Sequence, residues 1–124
     1  MIIRYEPAKK DFIIQAIPVE ADRKTLSEHF GEAPYFCLVR TSTLGKGILD
    51  IQFLPNPHLH EEKGKGIKTS EWLLEKGVDR VYTRKPFEGK GPSYVFASAE
   101  VEVRVTDART VEEINSEFTT RPHL

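Results

Sequence analysis

An eight-residue apolar run, FIIQAIPV at residues 12–19, restricts the possible fold more than any other feature of the sequence. Charged residues bound the run, and its length and β-branched side chains favour a strand that is buried on both faces. Strands of this kind are typical of sheets that are covered by helices. The run therefore predicts an α/β domain rather than an all-helical or an open all-β one.

The remainder of the chain alternates between strand and helix patterns. Further strands are predicted at 35–41, 48–54, 78–83 and 101–105, and helices at 66–76, at 92–99 and after the capping box Thr110–Glu113. In the last strand, valines alternate with charged residues, which predicts one wet face. A glycine-containing turn at 44–47 makes the second and third strands a hairpin. With right-handed crossovers, the prediction is a five-stranded, mostly parallel mixed sheet with one antiparallel strand and helices on both faces.

Size and charge limit the function classes. The chain has 124 residues and a net charge of -1, which fits one domain and gives no general basic surface for nucleic acid. No apolar run approaches the roughly 18 residues of a membrane span, and charged residues at 9–11 argue against a signal peptide. We expect a soluble cytoplasmic domain with no nucleic-acid partner and no direct membrane insertion. The single cysteine, Cys37, excludes internal disulfides and multi-cysteine zinc sites, and its strand position favours the core.

The exits of the parallel strands are the expected ligand site, because ligands of open α/β sheets bind at that edge. Two Gly-Lys-Gly sequences, at 64–66 and 89–91, each open a predicted helix there. Free N–H groups and the helix dipole at such openings favour an anion. The alternative is that these glycines only turn the chain, as Gly45 and Gly47 do at the opposite end. Neither a P-loop nor a dinucleotide fingerprint is present.

Three histidines, His29, His58 and His60, are the candidate metal ligands. Neutral imidazole suits iron, zinc or copper. Glu61 and Glu62 directly follow His60 in the sequence. Three imidazoles with nearby carboxylates would complete a site without cysteine, although most loop histidines are simply solvated. The sequence has no G-x-S-x-G motif, and its first strand has no carboxylates for a two-metal nuclease site. Composition alone leaves a Ser, His and Asp triad open, but neither pattern supports hydrolysis.

Several motifs in order resemble the dinitrogenase iron-molybdenum cofactor biosynthesis family, the NifX-like domains. They are Ser27-Glu-His-Phe-Gly31, Ala33-Pro-Tyr-Phe36, Asn56-Pro-His58, Gly64-Lys-Gly-Ile-Lys68 and Glu75-Lys-Gly-Val-Asp79, within a likeness over roughly residues 12–118. The resemblance implies a three-layer ribonuclease H-like fold without nuclease activity, and binding of iron-sulfur or iron-molybdenum cluster precursors. It makes His29 the leading ligand, followed by His58 and then His60. The predicted cofactor-binding residues are Ser27, His29, Phe30, Gly31, Asn56, Gly64, Gly66, Gly89 and Gly91.

Two segments depart from the family pattern. The loop at 84–92 is longer than the family's usual glycine-rich loop and resembles NifX-like domains appended to cation diffusion facilitator transporters. The start, MIIRYEP, looks like the last strand of such a transporter's cytosolic metal-binding domain. The predicted division is a lead-in at 1–10, a NifX-like metallocluster-binding domain at 11–118 and a frayed tail at 119–124.

Three functions remain open at this stage. The first is a non-catalytic domain that binds an iron-sulfur or iron-molybdenum cluster precursor, or a divalent metal such as zinc or iron, and serves a cluster-client protein. The second is a regulatory or interaction domain of a cation-efflux transporter. The third is a binder of a small phosphate-containing ligand, held by the glycine loops alone.

Overall fold

A computed structural model describes residues 11–87 and 91–118. Its strands are β1 (Phe12–Val19), β2 (Tyr35–Ser42), β3 (Ile48–Pro55), β4 (Arg80–Thr83) and β5 (Glu102–Val105), and its helices are α1 (Lys65–Glu75), α2 (Gly91–Ser98) and α3 (Val111–Asn115). Short 3-10 turns lie at Phe30–Glu32 and Ser116–Phe118. The predicted lead-in and tail lie outside the described residues. None of the helices in the described ranges has the length and hydrophobicity that a membrane span requires.

The five strands form one mixed sheet in the order β3-β2-β1-β4-β5. Strand β2 is antiparallel to both β1 and β3, whereas β1, β4 and β5 pair in parallel. Four strands therefore run in one direction and one runs against them, as predicted. The β2–β3 turn, where Gly45 and Gly47 adopt positive φ, lies at the opposite end of the sheet from the exits of the four parallel strands.

Helices cover both faces of the sheet, because β1 is apolar on both. Its Ala16 packs on one side against Leu73 of α1 and Phe96 of α2. Its Ile17 belongs to the cluster on the other side, which includes Ile114 of α3. Each fully buried aliphatic or aromatic side chain contributes about 1.5–3 kcal/mol relative to an exposed one. The predicted α/β class with helices on both faces is confirmed.

Two predicted strands differ in detail. Strand β4 begins at Arg80 rather than Val78, because the carboxylate of Asp79, and not a backbone carbonyl, accepts the N–H of Ile14 at 2.9 Å. The prediction of one wet face for β5 is wrong. All four of its residues are exposed, including Val103 at 36% and Val105 at 55%, because β5 is an edge strand that α2 covers only in part.

Candidate functional site

A cleft of about 640 Å³ opens at the edge where the parallel strands end. Residues 28–32, in the connection after β1, form one wall. Glu62 and residues 64–66 form a second wall at the start of α1. Residues from the exit of β4, Thr83 and 85–87, together with Pro92 of α2, complete the lining. The cleft lies where the topology predicts a ligand site.

The loop after β1 presents His29 through a local hydrogen-bonded turn. Ser27 is buried, and its hydroxyl accepts from the His29 N–H and donates to the His29 carbonyl, both at 3.2 Å. The 3-10 turn Phe30–Glu32 follows at once. Its first residue, Phe30, is buried against the rings of Phe36 and Phe87, each with its centroid 5.1 Å away. Ser27 therefore fixes the backbone of the turn through its hydroxyl. The exposed His29 lines the cleft.

Asn56 is a buried connector beneath the cleft rather than part of its lining. Its Nδ2 donates to the carbonyls of Ala33 at 3.0 Å and Gly31 at 3.3 Å. Its Oδ1 accepts from the backbone N–H of His58 at 2.9 Å and from the Thr69 hydroxyl at 3.4 Å. One side chain thus ties the His29 loop, the loop after β3 and helix α1 together.

The N-terminus of α1 faces the cleft without a side-chain cap in the described part of the chain. Gly64 is the N-cap residue, and its φ of 69° is in the left-handed region that favours glycine. No side chain there accepts from the first-turn N–H groups, which belong to Lys65, Gly66 and Ile67. These donors and the positive end of the helix dipole are directed at whatever enters the cleft.

Close packing explains three of the predicted glycines. A Cβ on Gly31 would lie 3.0 Å from the Gly66 Cα, and one on Gly66 would lie 3.0 Å from the Pro92 Cγ. A Cβ on Gly91 would collide with the Ile67 side chain, and Gly91 does not line the cleft. Gly31 and Gly66 both pack closely against a neighbouring segment and line the cleft, so the two explanations apply to them at once. Gly89 lies outside the described residues.

The charged groups around the cleft are of both signs. Glu28 is 3.3 Å from the Arg84 guanidinium and 3.9 Å from the Lys85 ammonium. Lys65 and Lys85 line the cleft together with three glutamates, Glu28, Glu32 and Glu62. The lining therefore presents no strong positive field from side chains. Any preference for an anion must come from the N–H groups of α1.

The other two predicted histidines lie outside the cleft lining. His58 Nδ1 is 3.3 Å from Glu61 Oε2, and the Lys68 ammonium is 2.9 Å from Glu61 Oε1. The hydrogen bond from Lys68, followed by that from His58, holds the pKa of Glu61 below its ordinary value. His60 is exposed. Within 11–87 and 91–118, no three histidine, cysteine, aspartate or glutamate side chains cluster closely enough to hold a metal ion, so the three-imidazole site is not assembled there.

Cys37 occupies the core, as predicted. It has no exposed surface, and desolvation raises the pKa of its thiol to about 12. At neutral pH this thiol is protonated, and only a thiolate is an effective metal ligand. Cys37 is therefore not available as a metal ligand.

Sequence reasoning missed part of the lining. Thr83, Pro86 and Phe87 belong to the cleft through the path of the chain after β4, and Pro92 through its contact with α1. For Pro86 and Phe87, a position shortly after a parallel strand was the available signal. Glu28, Glu32 and Glu62 lie beside predicted residues, and nothing in their spacing distinguished them from solvated surface carboxylates.

Comparisons with known proteins agree with this fold. The sequence model described as "Dinitrogenase iron-molybdenum cofactor" matches residues 13–121. The apo form of the orange protein from Desulfovibrio gigas is similar in structure, with a TM-score of 0.66, 18% identity and 85% of each chain covered. An NMR structure from Thermotoga, described as a NifB protein, gives a TM-score of 0.62, 23% identity and 86% coverage of each chain. Comparison with curated protein sequences gives no match.

Identities this low show a shared fold and no more, whereas the family match spans most of the chain and includes every residue that lines the cleft. The chain belongs to the dinitrogenase iron-molybdenum cofactor family.

Proposed function

We propose that this chain is a non-catalytic carrier that binds a preformed metal-sulfur cluster, of the iron-sulfur or iron-molybdenum type, in the cleft beside α1. The observation that carries the proposal is the position of His29, which shares the cleft with the uncapped N-terminus of an 11-residue helix. The imidazole supplies one metal ligand, and the N–H groups of Lys65 and Gly66 hydrogen-bond to the electron-rich sulfides. Membership of the cofactor family supports this class of cargo.

The few metal ligands in the cleft fit a preformed cluster better than a free metal ion. Structural zinc takes four protein ligands and catalytic zinc takes three. Among the described residues the cleft contributes one imidazole, and no three-ligand group is present. A cluster that brings its own sulfides needs fewer protein ligands, and the remaining ones come from the cargo or from a client protein. Zinc or Fe(II) alone is therefore the weaker candidate.

The finer assignments belong to the same proposal. We assign the chain to the ribonuclease H-like fold, and the sheet order β3-β2-β1-β4-β5 with one antiparallel strand supports this assignment. The relation to cation-efflux transporters stays a prediction, because MIIRYEP and part of the 84–92 loop lie outside the described residues and the relatives named above include no transporter. A cytoplasmic location likewise stays a prediction.

Anaerobic titration with a thiol-ligated iron-sulfur cluster, followed by visible absorbance, tests the proposal. We expect saturable binding to the wild-type chain. The variant His29→Ala should bind at least about tenfold more weakly, which corresponds to about 1.4 kcal/mol. His60→Ala is the matched control, because it removes an exposed imidazole that does not line the cleft and should leave affinity unchanged.

Parallel titrations with Zn(II), Fe(II) and inorganic phosphate separate the alternatives. Unchanged cluster affinity in His29→Ala would contradict the ligand assignment. Thermal stabilisation by phosphate without any response to the cluster would instead favour the phosphate-containing ligand. Tight binding of Zn(II) or Fe(II) without cluster binding would favour the simple metal site.

A further inference from the structure

Strand β3 forms one outer edge of the sheet and carries an exposed apolar stripe. Leu49, Ile51 and Phe53 are 45%, 44% and 38% exposed. Ile51 pairs with Val39 and Phe53 with Cys37, so both point to the sheet face that α3 covers farther in. The cluster beneath α3 includes Val39 and Cys37, but not Ile51 or Phe53. The stripe thus extends the buried face of the sheet into solvent.

The β3 edge carries less charge than sheet edges usually do, and its one irregularity is a register shift in the β2–β3 ladder that leaves Leu49 without a partner on β2. Natural edge strands are kept short, or carry lysines and other charges. Strand β5, at the opposite edge, follows this rule, since it has four residues and includes the Glu102–Arg104 ion pair. Strand β3 has eight residues with a single charged side chain, Asp50, which lies 3.8 Å from the Arg40 guanidinium. Within 11–87 and 91–118 no strand pairs with its outer side, so its backbone groups there are an open template for another strand.

The sequence of β3 is self-complementary in one antiparallel register. With Ile51 opposite its own copy, Leu49 faces Phe53 and Asp50 faces Gln52, whereas Ile48 lies beyond a register shift in the β2–β3 ladder and is not counted. Every pair is then apolar with apolar, or carboxylate with amide. A register centred on Asp50 opposes two carboxylates, and one centred on Gln52 places Asp50 opposite Leu54. Centring on Phe53 pairs Ile51 with Pro55, which has no N–H to donate.

We propose that a second copy of this chain pairs along the outer edge of β3 in the Ile51-centred register. The two sheets then join, across a two-fold axis, into one ten-stranded sheet. The apolar stripes of the two copies meet on the same face, because directly opposed residues of antiparallel strands share a face. The contact between two edge strands is small, so the dimer forms with increasing concentration rather than as an obligate unit.

This proposal is independent of the cluster-binding function. The cleft lies at the end of the sheet where β3 terminates, and antiparallel pairing sends the two β3 strands in opposite directions. The two clefts therefore lie at opposite ends of the dimer, away from the shared edge. A variant that loses the dimer should keep its cluster affinity, and one that loses cluster affinity through His29 should keep the dimer.

Disulfide trapping tests the register in the full chain. The one native cysteine, Cys37, is buried and has a raised thiol pKa, so an introduced cysteine is the reactive group. Opposed antiparallel residues have Cα atoms about 4.5–5.5 Å apart, within the roughly 4.4–6.8 Å that a disulfide spans. We expect Ile51→Cys to form a covalent dimer under mild oxidation. The matched control, Val103→Cys on the β5 edge, should not.

Sedimentation velocity over a concentration series supplies the second measurement. Wild-type chain should shift from monomer to dimer, and Ile51→Lys should stay monomeric because two lysines would face each other across the axis. Position 51 is already 44% exposed, so circular dichroism should show an unchanged fold in this variant.

Three outcomes would overturn the proposal. The first is a wild-type chain that stays monomeric at every concentration, and the second is equal trapping through Val103→Cys. The third is an Ile51→Cys variant that stays monomeric while its introduced thiol is protected from alkylation, since another segment of the chain would then cover the edge.

Discussion

The amide of Asn56 shows how one buried side chain organises the cleft without lining it. It donates to two carbonyls of the His29 loop and accepts from the loop after β3 and from α1. An amide can both donate and accept in this way, whereas a carboxylate has no N–H. Asn56 is therefore a positioning residue, and its identity matters more than its polarity.

Substitution of Asn56 should distinguish donor loss from simple truncation. Asn56→Ala removes the hydrogen bonds and should cost about 1–3 kcal/mol of unfolding free energy. Asn56→Asp keeps the size but places a buried carboxylate against the carbonyls of Gly31 and Ala33, so it should cost about 3–5 kcal/mol. Urea denaturation measures both values. A smaller loss for Asp than for Ala would contradict the donor role.

Asp22 should give the His29 loop a measurable acid sensitivity. Its carboxylate accepts from the Thr25 hydroxyl and from the N–H groups of Thr25 and Lys24, which lower its pKa to about 2 from an ordinary 3.8. Because the pKa is lower in the folded chain, the stabilisation is complete above pH 3.8 and is lost as the pH falls towards about 2.

The variant Asp22→Asn tests this sign. Denaturation of both chains between about pH 6 and pH 2 should show wild type more stable at the upper end, with the two curves converging at the lower end. A difference that grows as the pH falls would contradict the assignment.

Sequence patterns pointed to residues that line the cleft where the signal was local. The motif around His29 and the glycines at 64–66 indicated the cleft from backbone chemistry that a short sequence carries. Ser27 and Asn56 were predicted as cofactor-binding residues, whereas in the structure both are buried residues that hold the loops of the cleft. The partners of Asn56 lie up to 25 positions away, and such contacts depend on the packing of loops that no local pattern specifies.

At the scale of secondary-structure elements, α3 is held by the capping box that the sequence predicts. The Thr110 hydroxyl accepts from the Glu113 N–H at 3.2 Å, and the Glu113 carboxylate accepts from the Thr110 N–H at 3.0 Å. Hydrogen bonds from the backbone N–H groups of Arg109 and then Thr110 hold the pKa of Glu113 below its ordinary value. The box matters because α3 has only five residues, too few to be stable on its own.

Removing this cap should loosen α3. We expect Thr110→Ala to lower the free energy of unfolding by about 1 kcal/mol. Ser98→Ala, at an exposed position near the end of α2, should change stability by less than about 0.5 kcal/mol. Chemical denaturation of the two variants side by side makes the comparison. An equal effect of both would remove the capping box as a source of stability.

The bounds and burial of a strand could be predicted where its own sequence pattern reflects how it is buried. Strand β1 begins and ends where its apolar run does, because both of its faces are buried. Strand β5 was misjudged because alternation cannot reveal that a strand lies at an edge with partial cover. The late start of β4 depends on one long-range hydrogen bond from Ile14 to Asp79.

At the scale of the whole molecule, the sheet separates two hydrophobic cores, and they differ in whether they support the cleft. Leu73 is fully buried on the face of α1 and α2, and Ile114 is buried on the face of α3. Only the first core supports the helix whose N-terminus lines the cleft. Two variants of similar chemistry can therefore separate general stability from support of the site.

Leu73→Ala and Ile114→Ala should each cost about 2–5 kcal/mol, as large-to-small core substitutions do. Cluster affinity, measured well below the unfolding temperature of each variant, should fall in Leu73→Ala and stay at the wild-type value in Ile114→Ala. Equal losses of affinity would show that the cleft depends on overall stability rather than on the α1 core.

The burial of Cys37 has a consequence for how a carrier of this kind would release its cargo. The chain has one cysteine, and its thiol remains protonated in the core. Under the proposed function, the chain would contribute a nitrogen donor and amide contacts to the cluster, but no bond from its own sulfur to iron. A recipient that offers thiolates would then need only to exchange that one imidazole, and the inorganic core would pass across with every sulfide in place.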